Sequence, residues 1–447
     1  MTENRYTGMP GRILQALLPM FAAAVLLAGC GGGGNGLATQ PRDPVAAGFA
    51  LFMDGTFGNE QFFGATLGLH QVLNNVAPAD AVALGVQVDL AKVPAGIVAV
   101  MTGADLAAKD AALADPATTR ALIRADAVVG VKGVFGDPAN PDTLTSVGLT
   151  CALCHQLVAP TTFELTAGPT PLPIGPLLVD GRPNAGMDAG AILALTPFAV
   201  QAGPATVLML NSWGPGRFDI RALNLFDDGV NNPTDIPPLW NFPALEAQGY
   251  LLGWDGLFDG ANALASQAEA VYDIVMGGNG SFGTAAGTLP PALRVAPPQA
   301  LLDALAQAEV DEPGNVIDLQ SLLDLQAWMN SLAPPAPVAF DAAAAGRGAI
   351  LFSGRANCVA CHNTADFTNG QQLLFTDITA TPPAGGLAGG IKVPGLPGVG
   401  HTAPYFHDHS AATLEAVVAR LTARGQEVPI DLTAQEQADL VEFLKSL

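Results

Sequence analysis

The chain has 447 residues, with 40 acidic against 18 basic side chains, a formal net charge of −22, and 49% hydrophobic content. A field of that sign argues against nucleic acid and anionic lipid as partners and for a basic one. The length and apolar content allow a sizeable core in two domains.

Met1 to Gly29 reads as an export leader. Arg5 and Arg12 make a positive flank, and Ile13 to Leu27 is an apolar run too short and wrongly flanked for a membrane span. It ends Leu27-Ala28-Gly29-Cys30, which resembles a bacterial lipoprotein cleavage box. Cys30 is then the expected lipidated residue; each buried acyl methylene contributes about 0.8 kcal/mol to a lipid anchor. Ordinary secretory cleavage nearby is the alternative. Gly31, rather than aspartate, follows Cys30, which implies the outer membrane. Residues 30–44 are Gly-rich and polar and read as a flexible tether.

The first module is expected over 45–332. It opens on Asp43 to Phe52, DPVAAGFALF. An insertion over about 53–147 follows and reads as helical. Phe62, Phe63, Leu67, His70 and Val72 have partial helical periodicity, and Asp105 to Ala127 is rich in Ala and Leu. His70 stands outside every other histidine grouping. It is either a satisfied core residue or a distal ligand to a haem in this module; Met187, Met209, Met276 and an open site are the other candidates for that place.

Cys151-Ala152-Leu153-Cys154-His155 reads C-x-x-C-H, the attachment signature of a c-type haem. Residues i, i+3 and i+4 share one face of a helical turn, so two thiols reach the porphyrin edge while the imidazole reaches the iron. The same pattern recurs at Cys358-Val359-Ala360-Cys361-His362. A redox C-x-x-C wants a thioredoxin-like context that neither motif has. A zinc site needs both thiol pairs to converge and leaves both histidines unexplained. Four of the five cysteines lie in these motifs and the fifth is Cys30, so no pair remains for a disulfide. Two covalent haems are therefore expected, with His155 and His362 as proximal ligands.

Ala159 to Pro238 is Gly/Pro-rich with little regular signal. Pro237-Pro238-Leu239-Trp240 opens a passage that ends Gly253-Trp254-Asp255-Gly256, and Ala263 to Met276 reads as helical. Leu319 to Leu332 carries Leu322, Leu325, Trp328 and Met329 at helical spacing and closes the first module. Residues 333–340 form a stiff Pro-rich linker. The second module, 341–447, restarts with Asp341 to Phe352, DAAAAGRGAILF, and closes on Leu440 to Leu447. Trp328-Met329-Asn330-Ser331-Leu332 parallels Phe443-Leu444-Lys445-Ser446-Leu447, so the chain reads as an internal duplication. Thr433 and Glu436 have the spacing of a capping box for the last helix.

Lys392-Val393-Pro394-Gly395-Leu396, followed by Thr402-Ala403-Pro404-Tyr405-Phe406-His407-Asp408-His409-Ser410-Ala411-Ala412-Thr413-Leu414-Glu415, resembles the segment after the C-terminal haem of bacterial di-haem cytochrome c peroxidases. That superfamily also holds the di-haem enzyme of methylamine utilisation and the haem rubber oxygenases. The resemblance covers most of 341–447 and thins in the first module to the haem motif, Pro238-Leu239 and Trp254-Asp255-Gly256. It implies a mainly α fold of two cytochrome c-like helical modules, the first with the long insertion and Gly/Pro-rich loops. In the family one haem feeds electrons and the other meets peroxide. Trp254 matches the aromatic between the haems, Gln267 falls near an active-site glutamine, and His407 matches a family histidine that is not normally axial. Asn241, Thr402 and Pro404 loosely match the positions of a calcium between domains. The family's catalytic glutamate would fall in Met276 to Gly280, where no carboxylate stands; Glu269 or Asp273 substitutes only if the turn is reshaped. The family's axial methionine falls at Leu421, and no methionine occurs in 341–447, so His401, His407, His409 or an open site remains for the second haem. Two functions stay open: a peroxidase-like oxidoreductase acting on hydrogen peroxide or oxygen, and a pure electron carrier with both irons six-coordinate.

Overall fold

In a computed structural model, residues 42–219, 231–248, 253–254, 271, 319–373, 391–424 and 430–447 are described. Asp43–Leu447 packs as one compact unit. The architecture is mainly α, with short strand pairings. Helices begin where the sequence supplies an acceptor and a permissive first residue. Helix α1, Pro44–Asp54, starts on Asp43, whose carboxylate accepts from the Val45 and Ala46 amides, with Pro44 at the first position. A π-helix, Gln61–Thr66, and α2, Leu69–Leu73, follow, then α3, Pro78–Ala83, and α4, Ala95–Thr102. The Ala/Leu-rich stretch divides into α5, Leu106–Ala114, and α6, Pro116–Arg124. Pro116 cannot continue α5, while the Asp115 carboxylate accepts from the Ala117 amide and starts α6.

The insertion is not wholly helical. Strand β1, Val131–Val134, pairs antiparallel with β2, Ser146–Leu149, and β2 runs directly into the first haem motif on α7, Ala152–His155. The stretch expected to be irregular holds a second hairpin, β3 Thr161–Leu165 with β4 Gly168–Leu172, in which Phe163 and Leu172 turn inward. It also holds α8 Ala189–Ala194, α9 Pro197–Ala202 and α10 Pro204–Asn211, with proline at the start of the last two. Helix α11 spans Phe242–Ala247. The remaining helices are α12 Leu319–Met329, α13 Ala342–Ser353, α14 Leu414–Arg424 and α15 Ala434–Lys445. Thr433 and Glu436 form the expected capping box of α15.

Two helix crossings repeat residue by residue. Helix α1 packs on α12, and α13 on α15. A Cβ on Gly48 would stand 1.9 Å from the Asp324 carbonyl oxygen and 2.8 Å from Trp328 Cβ; one on Gly348 would stand 2.0 Å from the Asp439 carbonyl oxygen and 2.8 Å from Phe443 Cβ. Only glycine lets the helices approach this closely. Four residues on, Phe52 and Phe352 are buried in both copies, and Phe52 stacks at 4.1 Å on Trp328 as Phe352 does at 5.0 Å on Phe443. Gln320 donates to Asp324 and Gln435 to Asp439, each at 3.0 Å. The copies differ beside that aspartate: Arg347 makes two hydrogen bonds to Asp439, whereas Ala47 holds the matching place in α1.

Three apolar clusters result. One joins the insertion to the helices after the first motif, around Leu67, Ile123, Val147 and Trp213; one joins α1, α12 and Ala152 of the first motif; one joins α13, α14 and α15. Among the described residues no helix is long and apolar enough to cross a membrane.

Candidate haem sites

The first C-x-x-C-H motif is fixed from both sides. The Thr150 amide donates to the Gly130 carbonyl at 3.0 Å, and its hydroxyl donates to the Met53 carbonyl of α1 at 3.1 Å. Gly130 has φ +76°, and a Cβ there would sit 2.2 Å from the Leu153 nitrogen, so the turn entering β1 presses its backbone on the motif. The turn closes on itself: the Cys154 and His155 amides donate to the Cys151 carbonyl at 3.3 and 3.2 Å. Both thiols therefore stand on one turn with the imidazole beside them. Burial pushes the Cys151 thiol up to about 11 and Cys154 up to about 12. Burial holds His155 down at about 4, opposed by the Pro237 carbonyl. The ring is thus neutral at physiological pH, the form that ligates iron. Its Nδ1 is buried without a hydrogen bond of ordinary geometry, and the Pro237 carbonyl lies near the ring.

The second motif repeats the design with a tighter turn. Cys358–Ala360 is a single 3-10 turn entered through Asn357 at φ +52°. The Cys361 and His362 amides donate to the Cys358 carbonyl at 3.2 and 2.9 Å. His362 Nδ1 lies 2.5 Å from the Phe367 carbonyl, which assigns the proton to Nδ1 and leaves Nε2 as the ligating nitrogen. Burial lowers the His362 pKa, and Phe352 packs on its ring at 6.2 Å. Two thiols and a neutral imidazole on one turn, the imidazole facing a backbone carbonyl, are a donor set that fits covalent haem c in both places. The four cysteines are free of disulfides. Among the described residues no three His, Cys, Asp or Glu side chains gather as a metal site, so the thiol pairs do not converge on a zinc.

A third group of residues joins the two halves of the chain. The His409 Nε2 lies 2.8 Å from Asp235 Oδ1, and the Asp235 amide donates to the His407 carbonyl at 2.8 Å. His407 is 2% exposed, and its ring lies 6.4 Å from that of Trp254. The Trp254 carbonyl accepts from the Lys392 amide, and its indole N–H is buried near the Asp235 carboxylate without closing an ordinary hydrogen bond. Burial pushes Asp235 up to about 6, opposed by His409 and Trp254. The structure thus brings Trp254, His407 and His409 together. The Asp235 that ties them is absent from the expectations above, and so is the His155 partner Pro237. Both lie in a stretch with no periodic signal, and Asp235 pairs with a residue 174 positions away.

The other expected residues stand apart. His70 lies on α2, half-buried, with Nδ1 3.0 Å from the Gly64 carbonyl of the π-helix. His401 Nε2 lies 2.8 Å from the Ala336 carbonyl of the Pro-rich linker. Leu421 is 41% exposed on α14, and Met187 is fully buried. Of the loosely matched calcium positions, Asn241 has φ +67° and the Thr402 hydroxyl donates to the Val399 carbonyl; Trp240 Nε1 donates to the Pro397 carbonyl between them. Cys30, Gln267, Glu269, Asp273 and Met276 lie outside the described residues.

The similarities to known proteins follow these sites. A stretch of 121 residues, 23% of this chain and 33% of its relative, is 32% identical to the methylamine utilization protein MauG of Methylorubrum extorquens. A stretch of 151 residues, 24% of this chain and 40% of its relative, is 29% identical to the cytochrome-c peroxidase IdrP1 of Denitromonas iodatirespirans. The chain therefore spans between a third and two-fifths of these curated relatives. Among solved structures, a MauG-like protein associated with microbial copper homeostasis is 25% identical over 31% of this chain and 60% of that one, with a TM-score of 0.26. A hydrazine synthase of Kuenenia stuttgartiensis is 21% identical over 33% of this chain and 62% of that one, with a TM-score of 0.25. No family model matches. The paired C-x-x-C-H turns on a mainly α scaffold have the pattern of a c-type cytochrome with two attachment sites. Over the stretches shared with these curated relatives, the chain is similar to members of the di-haem cytochrome c peroxidase superfamily.

Proposed function

We propose that this protein is an exported di-haem c-type cytochrome, anchored through Cys30 at the outer membrane, that passes electrons between two covalent haems and acts as a peroxidase-like oxidoreductase. The observation that carries the reading is the completeness of both motif turns: two thiols on one turn and an imidazole turned toward a backbone carbonyl. When bound, haem supplies the one-electron chemistry and the site where hydrogen peroxide or oxygen is reduced. The chain's own residues do the rest. Cys151, Cys154, Cys358 and Cys361 fix each group in place. The Phe367 carbonyl holds His362 by its Nδ1 side, and the Pro237 carbonyl lies beside His155. Trp254 is the expected relay, and its half-buried ring pairs with the buried ring of His407. His70, with its Nδ1 on the Gly64 carbonyl, would offer its Nε2 as a further nitrogen to hold the first haem. A redox partner with a basic surface fits the net charge of −22. Calcium is assigned to the loop at Asn241, Thr402 and Pro404.

A second reading, the pure electron carrier, is favoured by one feature: no carboxylate occurs in Met276 to Gly280, where the family places its proton-transfer group. The test begins with intact-mass spectrometry of the mature protein and with haem retention through denaturing electrophoresis. Two covalent haems are expected, and one or none refutes the assignment. Carbon monoxide binding to the reduced protein, with peroxide turnover, then separates the readings. A chain that binds no carbon monoxide is a carrier. Cell fractionation of Cys30→Ser, which should leave the membrane fraction, tests the anchor.

A further inference from the structure

The insertion, together with Phe163 of β3 and Ile174, lines a cavity of about 80 Å³ that no polar atom reaches. It lies between α3, α4, α5 and α6, with Val86, Ile97, Leu113, Leu122 and Phe163 among its walls. Three threonines border it, and two turn their hydroxyls away: Thr102 to the Val98 carbonyl at 2.8 Å and Thr119 to the Val76 carbonyl at 2.7 Å. Methyl groups remain to face the cavity. A space of this kind stays dry, because a water in it would have none of the two to four polar partners it needs. A second observation concerns the roof. Helix α4 reads AGIVAVMT, without a charged or strongly polar residue, yet only Met101 on it is buried. An apolar helix, most of it not buried, thus lies over the apolar cavity. The opposite wall includes Val128 and Val131, which flank the Gly130 that presses on Leu153 of the first haem motif. The cavity and that motif therefore share one stretch of backbone.

We propose that the insertion is a binding domain for a small neutral hydrocarbon group, taken up under α4. The chemistry follows from the walls. Ligand sites ordinarily combine apolar walls with a few polar groups that fix orientation. This one has none, so any ligand bearing a charge or a hydrogen-bonding group in the cavity would lose its water without compensation. The volume is about half that of an engineered cavity that admits benzene or xenon, which limits the ligand to a few carbon atoms or the end of a chain. The inference does not depend on the haem reading.

The test uses the full chain and propane as the probe. Propane-saturated buffer should raise the thermal midpoint of the natural protein, since a ligand that binds only the folded state stabilises it. Ala112→Leu fills the cavity from α5 and should abolish that rise; Ala81→Leu fills it from α3 and serves if the first variant does not fold. Crystals pressurised with xenon should show the atom between α3, α4 and α6. No rise in the natural protein, an equal rise in a filled variant, or xenon bound only elsewhere overturns the proposal.

Discussion

Two glycines of one helix should respond to the same substitution with opposite signs. Gly346 and Gly348 both lie on α13. A Cβ on Gly346 meets nothing within 4 Å, so Gly346→Ala changes only backbone entropy and helix propensity. It should stabilise by about 0.5–1 kcal/mol. Gly348→Ala gains the same amount and then meets α15. Its Cβ would stand 2.0 Å from the Asp439 oxygen, 2.6 Å from the Asp439 carbon and 2.8 Å from Phe443 Cβ, whereas ordinary contact begins at 3.4 Å. The obstacle is backbone and cannot rotate away, so the helices must part by roughly 1.4 Å, and forced overpacking typically costs about 1–3 kcal/mol or more. Separation also loosens the Phe352–Phe443 contact, and a gap of about 0.5–1 Å forfeits a quarter to a half of a dispersion well. The net expectation for Gly348→Ala is a loss near 3 kcal/mol, in order of magnitude. Guanidinium unfolding followed by far-ultraviolet circular dichroism gives both midpoints. The midpoint should rise for Gly346→Ala and fall for Gly348→Ala with the slope unchanged. If both variants gain stability, propensity dominates and the close crossing is wrong. Gly48→Ala should repeat the loss in the first module.

Three further outcomes are expected. Burial depresses Lys392 to about 8, so the folded state releases a proton that the unfolded chain keeps, and stability should climb between about pH 8 and the ordinary lysine range; Lys392→Met should remove that climb and stabilise the protein at pH 7 by about 1–3 kcal/mol, measured by unfolding across pH. Hydrogen bonds from Arg347 hold the Asp439 carboxyl below its usual range, so they stabilise the fold above the ordinary carboxylate pKa and fail as pH falls through the lowered one; Arg347→Met should lower stability at neutral pH and flatten the acid limb of the same curve. The near-infrared band of iron–methionine ligation should be missing for the second haem, because 341–447 contains no methionine; with Cys151 and Cys154 replaced by serine to remove the first haem, persistence of that band would refute the ligand argument.

The parts of the fold that were legible in the sequence are those where one local signal suffices. Thr433 and Glu436 announced the start of α15 three residues apart, and Gly48 and Gly348 sat at matching places in two copies of one helix. Both motif turns followed from spacing alone. The hairpin of β3 and β4 was not legible, because β4 reads Gly-Pro-Thr-Pro-Leu and its prolines mask a strand that donates few ladder bonds. The division of the Ala-rich stretch at Asp115-Pro116 was present as a signal, but composition outweighed it. The β1–β2 hairpin that aims the first motif is marked only by Val128, Val129 and Val131, too short a run to stand against the helical stretch before it. Asp235 was out of reach for another reason. Its significance comes from His409 and Trp254, partners that only the folded chain assembles.

The two matched helix crossings have unequal histories during synthesis. In the second, Gly348 and its partner Asp439 are separated by about 90 residues, in the first Gly48 and Asp324 by about 275, and the longer loop costs about 1 kcal/mol more to close. The delay matters more than the energy. At roughly 5–20 residues per second, α1 leaves the ribosome about a quarter of a minute to a minute before α12 exists. Throughout that interval Phe49 and Phe52 lack Trp328, the ring that packs on both. The α1–α12 crossing therefore closes later in synthesis, relative to its first helix, than the α13–α15 crossing does.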